Sequence, residues 1–137
     1  NEDFHTVRLF NTVSVYGFLM DINDFKAIND IYGHLKGDQA IIQFGKILQN
    51  SIDKDSVAIR MGGDEFVIFA ILKSNEEGLA LKKRIEQNVR QFNTNSTEPF
   101  HLSFSIGIAK YSGNIETFLS SMDDSMYEAK NMHHLMQ

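Results

Sequence analysis

The sequence predicts an α+β sandwich: a mostly antiparallel sheet with helices packed on its faces. Three observations lead there. Two β-rich runs flank the tetrad Gly62-Gly63-Asp64-Glu65, which has the composition of a hairpin turn. Several other stretches place apolar residues at helical spacing. The segments follow one another in the order β, α(α), β, β, α, β, α. The 137 residues are one domain's length, and residues 1–137 are read as a single unit that belongs to a longer protein.

Val13 to Asp21 (VSVYGFLMD) is apolar and rich in β-formers, the pattern of a strand covered on both faces. Asp24 is placed to cap a helix starting at Phe25, where Phe25, Ile28, Ile31 and Tyr32 recur until Gly33. Helical periodicity restarts at Gly37 and Asp38, with Ala40, Ile41, Phe44, Ile47, Leu48 and Ile52 on one side. Val57 to Met61 and Phe66 to Leu72 are the arms of the hairpin. Glu76 to Phe92 is an amphipathic helix turning Leu81, Ile85 and Val89 inward, and Asn93 to Pro99 has loop composition. Leu102, Phe104, Ile106 and Ile108 alternate with Ser103, Ser105, Gly107 and Ala109, a strand with one apolar face. Ile115 to His133 forms the last helix, striped by Phe118, Leu119, Met122, Met126 and Ala129.

This order contains the split βαβ pattern of ferredoxin-like folds. In such a sheet the first strand lies antiparallel to the third. The end of the first strand and the tip of the hairpin then share one edge, which brings Asp21 close to Asp64 and Glu65. A strand-end acid or a polar turn alone is ordinary surface; their convergence makes a candidate site.

Composition narrows the chemistry. Thirteen cationic and 18 acidic side chains give a net charge of −5, the wrong sign for holding a nucleic acid polymer by charge. The absence of cysteine removes disulfides, thiol nucleophiles and Cys-ligated zinc. The longest apolar run, Phe66 to Leu72, falls far short of the roughly 20 residues of a membrane span, so no direct membrane contact is expected. The opening residues NEDFHTVRLF do not read as a signal peptide, and a cytoplasmic location is expected. Oxygen ligands without His or Cys suit a hard cation, and Mg²⁺ typically takes one or two carboxylates plus water and substrate phosphates. DINDF opens like a calcium loop, but Phe25 and Lys26 stand where that loop needs Asp or Asn and then Gly.

The segments LMDINDFKAINDIYGHLKGD, RMGGDEFVIF, SFSIGIA and DDSMYEAK, spanning about Phe18 to Lys130 in this order, resemble the GGDEF domain of diguanylate cyclases. The resemblance implies a nucleotidyl-cyclase palm-like version of the sandwich. It also implies condensation of two GTP into cyclic di-GMP by a homodimer, the 3′-hydroxyl of each nucleotide attacking the α-phosphate of the other. Carried over by position, Asp21, the carbonyl of Ile22 and Asp64 hold Mg²⁺, with Mn²⁺ as an alternative. Asp64 or Glu65 helps to deprotonate the 3′-hydroxyl. Asn29 and Asp38 match guanine-reading positions, and their chemistry suits that base: a carboxylate accepts from guanine's N1–H and amino group. His34, Phe25 and Gly63 lie in the same matched stretches and join the substrate-binding set. Lys26 and Lys130 match positions near the triphosphate, Lys26 with a catalytic part.

Three departures stand out. Where the family carries an Arg-x-x-Asp product-inhibition motif, this chain has Asp53 and Ser56, so feedback through that site is not expected. After Ala129-Lys130 the family continues with Gly, a basic residue and Asn, whereas here His133, His134 and Leu135 follow. The upstream D-x-L-T-G-L-x-N-R element is missing. These departures keep a second reading open, a catalytically weak GGDEF-derived module that binds GTP or a partner protein in regulation. An adenylyl-cyclase or polymerase-palm relative shares the two-carboxylate edge, but Asn29 and Asp38 argue against it. A sensory or dimerisation domain is expected outside this chain.

Overall fold

The computed structural model describes residues 13–136; the readings of residues 1–10 and of the missing upstream element lie outside them. Along the described residues run β1 (Ser14–Ile22), α1 (Phe25–Tyr32), α2 (His34–Ser51), β2 (Val57–Gly62), β3 (Glu65–Leu72), α3 (Asn75–Asn95), β4 (Phe104–Lys110) and α4 (Ile115–Leu135). The sheet order is β2-β3-β1-β4, and every neighbouring pair is antiparallel. This is the split βαβ arrangement with β1 beside β3 that the element order predicted.

Alternation along the strands builds two faces. Phe18, Met20, Ile22, Phe66 and Ile68 point to one, where α2 contributes Ala40, Phe44 and Leu48 and α3 contributes Leu81, Ile85 and Val89. Phe44 is fully buried, edge-on to Phe66 with ring centroids 5.2 Å apart and 5.4 Å from Phe104. On the opposite face α4 lays Phe118 and Met122 over Val67 and Ala109. β4 is therefore covered on both sides. Ser105 and Ala109 are buried, and at Gly107 the α4 backbone at Met122 and Met126 leaves no room for a Cβ.

Boundaries differ from the sequence reading where local chemistry intervenes. Gly33 adopts φ 91°, a conformation open chiefly to glycine, and the break between α1 and α2 falls there. The second helix begins at His34, three residues before the restart at Gly37, so Asp38 sits inside it and does not cap it. Asp24 was expected to cap α1 through its side chain and makes no such bond. Its backbone is left-handed (φ 57°), whereas a capping side chain reaches the helix amides from extended backbone. Asn93 belongs to α3, which runs to Asn95; its side-chain amide clasps Leu102 twice, both bonds 2.8 Å, and ties the following loop back to the helix. No helix among the described residues is long and apolar enough to cross a membrane.

Candidate functional site

The β1–β3 register sets Asp21 opposite Glu65, and the Ile22 amide donates to the Asp64 carbonyl at 3.2 Å. The sheet thus brings together the carboxylates that the sequence places 43 positions apart. Asp64 is half-buried and Glu65 exposed, both at the hairpin turn. The turn itself is pinned from within: Gly63 takes φ 51°, and its carbonyl accepts two bonds from Arg60, Nε at 3.0 Å and Nη2 at 2.9 Å.

The last helix supplies the positive charge. Lys130 on α4 forms an ion pair with Asp21, whose side chain is 18% exposed, and donates to Asn23 Oδ1 at 3.0 Å. Burial raises the Asp21 pKa above the ordinary carboxylate value by stripping water from the charged form. Lys130 pulls it down by hydrogen bond and charge, and the neighbouring Asp64 charge adds to the rise. One turn further along α4, His133 Nε2 lies 3.2 Å from Asp24 Oδ2, so the departing C-terminal residues reach the β1–α1 loop.

Asn23, which the motif reading passed over, is the hub between these parts. It is 5% exposed. Its Oδ1 accepts from the Ser105 hydroxyl at 2.7 Å as well as from Lys130, its Nδ2 donates to Ser103 Oγ at 3.0 Å, and its main-chain amide donates to the Ser103 carbonyl at 2.8 Å. The signal was there: a polar residue directly after the apolar strand β1, with Ser103 and Ser105 on either side of the first residue of β4.

A second cluster forms at the α1–α2 junction. A Cβ on Gly37 would overlap Asn29 Oδ1, so the bare Cα of Gly37 is the surface on which the Asn29 amide rests. Asp38 follows in the next position, exposed, and His34 is exposed at the first residue of α2. Asn29 thus rests on Gly37, the chain neighbour of Asp38, and His34 opens the same helix. Phe25 is half-buried and packs against the main core. Lys26 stands apart, its side chain 89% exposed and paired with Asp30 at 2.8 Å along the solvent side of α1.

The edge fits a hard divalent cation on its donor chemistry. Two carboxylates converge, one of them partly desolvated, and a cation relieves the cost of ionising both. Among the described residues no group of three acidic or imidazole side chains gathers; a metal here would have two carboxylates to draw on and would need further oxygen ligands from main chain, water or substrate. A cavity of about 670 Å³ between α2 and α3, lined by Gln43, Asn50, Asn88 and Gln91, shares no residue with this edge.

The family model described as diguanylate cyclase, GGDEF domain, matches residues 8–134. The chain belongs to the GGDEF family. Diguanylate cyclase DgcM of Escherichia coli K12 is 34% identical over 115 residues, which cover 82% of this chain and 28% of that protein. Diguanylate cyclase DgcS of Shewanella oneidensis is 34% identical over 143 residues, covering 95% of this chain and 46% of its own length. The GGDEF domain therefore spans less than half of these curated relatives. Among solved structures, the active GGEEF domain of a diguanylate cyclase from Vibrio cholerae superposes with a TM-score of 0.75 at 25% identity, covering 95% of this chain and 84% of that one. The nucleotidyl-cyclase palm-like α+β fold follows from this likeness and from the sheet order.

Proposed function

We propose that this GGDEF domain is a diguanylate cyclase catalytic domain, condensing two GTP into cyclic di-GMP across a homodimer. The observation that carries the reading is the meeting of Asp21 and Asp64 at one sheet edge with Lys130 beside them. Asn29 is the fifth residue of α1, about 6 Å along the axis from Phe25 at 1.5 Å per residue, so the helix that follows that edge carries the Asn29–Asp38 cluster. The domain thereby offers a phosphate end and a base end joined by one rigid helix.

Asn29 and Asp38 receive guanine: the carboxylate accepts from N1–H and the amino group, which adenine does not present, and the amide both donates and accepts. Asp21, Asp64 and the Ile22 carbonyl would hold Mg²⁺ or Mn²⁺, which would supply the positive charge an acidic edge needs to hold a triphosphate. Glu65, exposed beside Asp64, or Asp64 itself takes the proton from the 3′-hydroxyl. Each 3′-oxygen bonds to the α-phosphorus of the other nucleotide as the bond to pyrophosphate breaks, so two GTP yield one cyclic product and two pyrophosphates. Each chain holds one GTP, and two domains must face each other. Lys26, exposed and paired with Asp30 in this structure, is assigned to the leaving phosphates by its position in the motif.

The test is a dimer enforced by a fused coiled coil, incubated with GTP and Mg²⁺ and read by nucleotide chromatography with and without EDTA. Cyclic di-GMP that disappears with EDTA is expected; GTP bound and recovered unchanged at every protein concentration refutes the reading.

A further inference from the structure

Lys130 sits on the Asp21 carboxylate, an acid that the metal reading also uses. Its ammonium is paired directly with Asp21, and both side chains are mostly buried, 25% and 18% exposed. A cation arriving at Asp21 therefore meets a carboxylate already neutralised at close range. The same ammonium has a second acceptor, Asn23 Oδ1 at 3.0 Å. An ammonium only donates, so the atom of the Asn23 amide facing it is the oxygen. The Ser105 hydroxyl at 2.7 Å and Ser103 at 3.0 Å hold the amide in that orientation.

We infer that Lys130 is a resident cation of the Asp21 carboxylate that a divalent metal must displace, and that Asn23 is the positioning residue that retains the ammonium when it yields. The inference rests on the metal reading of this edge given above and adds a cost to metal binding that the reading alone does not contain. Two cations within a few ångströms of one carboxylate repel each other, and at partly buried sites that repulsion is weakly screened. Without metal, the Lys130 ammonium is paired with Asp21 and Asp64 stands beside them; with metal, the dication would face Asp21 and Asp64 while the ammonium rests on a neutral amide oxygen. Asn23 suits this role because it accepts from the lysine without adding a third carboxylate to compete for the metal.

The experiment is Mn²⁺ binding without nucleotide, followed by calorimetry and by the electron paramagnetic resonance signal of free Mn²⁺, at pH 8 on the folded domain. Lys130→Met keeps the stem and removes the charge. The inference expects it to bind Mn²⁺ about tenfold more tightly than wild type, the equivalent of about 1.4 kcal/mol. Asn23→Ala, which leaves the ammonium only Asp21, is expected to bind about tenfold more weakly with circular dichroism unchanged. If Asn23→Ala does not fold, Lys130→Met alone decides. Equal or weaker Mn²⁺ binding by Lys130→Met than by wild type overturns the exchange while leaving the metal reading intact. Absence of Mn²⁺ binding by both proteins overturns the metal reading and the exchange with it.

Discussion

Replacing Gly37 by Ala separates the base-binding end from the stability of the fold. The added Cβ would collide with Asn29 Oδ1 and lie 2.9 Å from its Cγ, closer than real Cβ atoms approach. The helix backbone at Gly37 accepts Ala, and helix propensity favours Ala there by about 1 kcal/mol. The obstacle is a side chain with rotatable χ angles, so the relief is for Asn29 to turn away. Folding stability should then change by less than about 1 kcal/mol in either direction. Nucleotide binding should change more. Asn29 turned from the cluster forfeits one or two hydrogen bonds to guanine, about 1 kcal/mol each, which lowers GTP affinity about 5- to 30-fold. Calorimetric titration with GTP and Mg²⁺ measures this loss, and a thermal melt of the same sample reports stability. Asn29→Ala should reproduce the loss, and the double variant should add little to either single one, because both remove the same contact. Gly37→Ala binding GTP within about twofold of wild type, alongside a clear loss in Asn29→Ala, would refute the packing argument.

Other outcomes follow from the same structure. Asp64→Asn should abolish turnover while leaving the urea midpoint near that of wild type, since the side chain sits half-exposed in a turn held by Arg60 and the Gly63 carbonyl. Phe44→Ala empties the space between Phe66 and Phe104 and should cost about 3–5 kcal/mol in urea unfolding. Added cyclic di-GMP should leave the initial rate unchanged at the Asp53–Ser56 position. The Asp53 carboxylate there accepts from the Asp55 amide at 3.0 Å and the Ser56 hydroxyl at 3.1 Å, and no arginine takes the place of Asp53.

The sheet was legible because its signals are strong and local: β-rich runs of one period and a glycine-rich tip between two of them. From those runs the antiparallel β1–β3 pairing follows by topology, and with it the meeting of Asp21 and Asp64. Helix starts were less legible. At Gly33 the backbone takes a conformation that periodicity does not encode, and at Asp24 a capping residue type stands on a backbone that prevents capping. The part of the site made by α4 was least visible as geometry. Ser103 and Ser105 read as the wet side of a strand because their shared partner, Asn23, is 80 and 82 positions away. Only three-dimensional packing of α4 over β4 turns those serines into supports for a buried amide. Lys26 marks the reverse case: its sequence position is suggestive, and the structure gives its ammonium to Asp30.

The central claim is that two copies of this edge join two guanine nucleotides. The most direct measurement quantifies cyclic di-GMP and pyrophosphate released from GTP and Mg²⁺ by the enforced dimer, beside the same dimer carrying Asp64→Asn. The account predicts two pyrophosphates per cyclic product from the first and neither from the second. A folded, GTP-bound wild-type dimer that releases no cyclic di-GMP, or an Asp64→Asn dimer that matches the wild type, would contradict it.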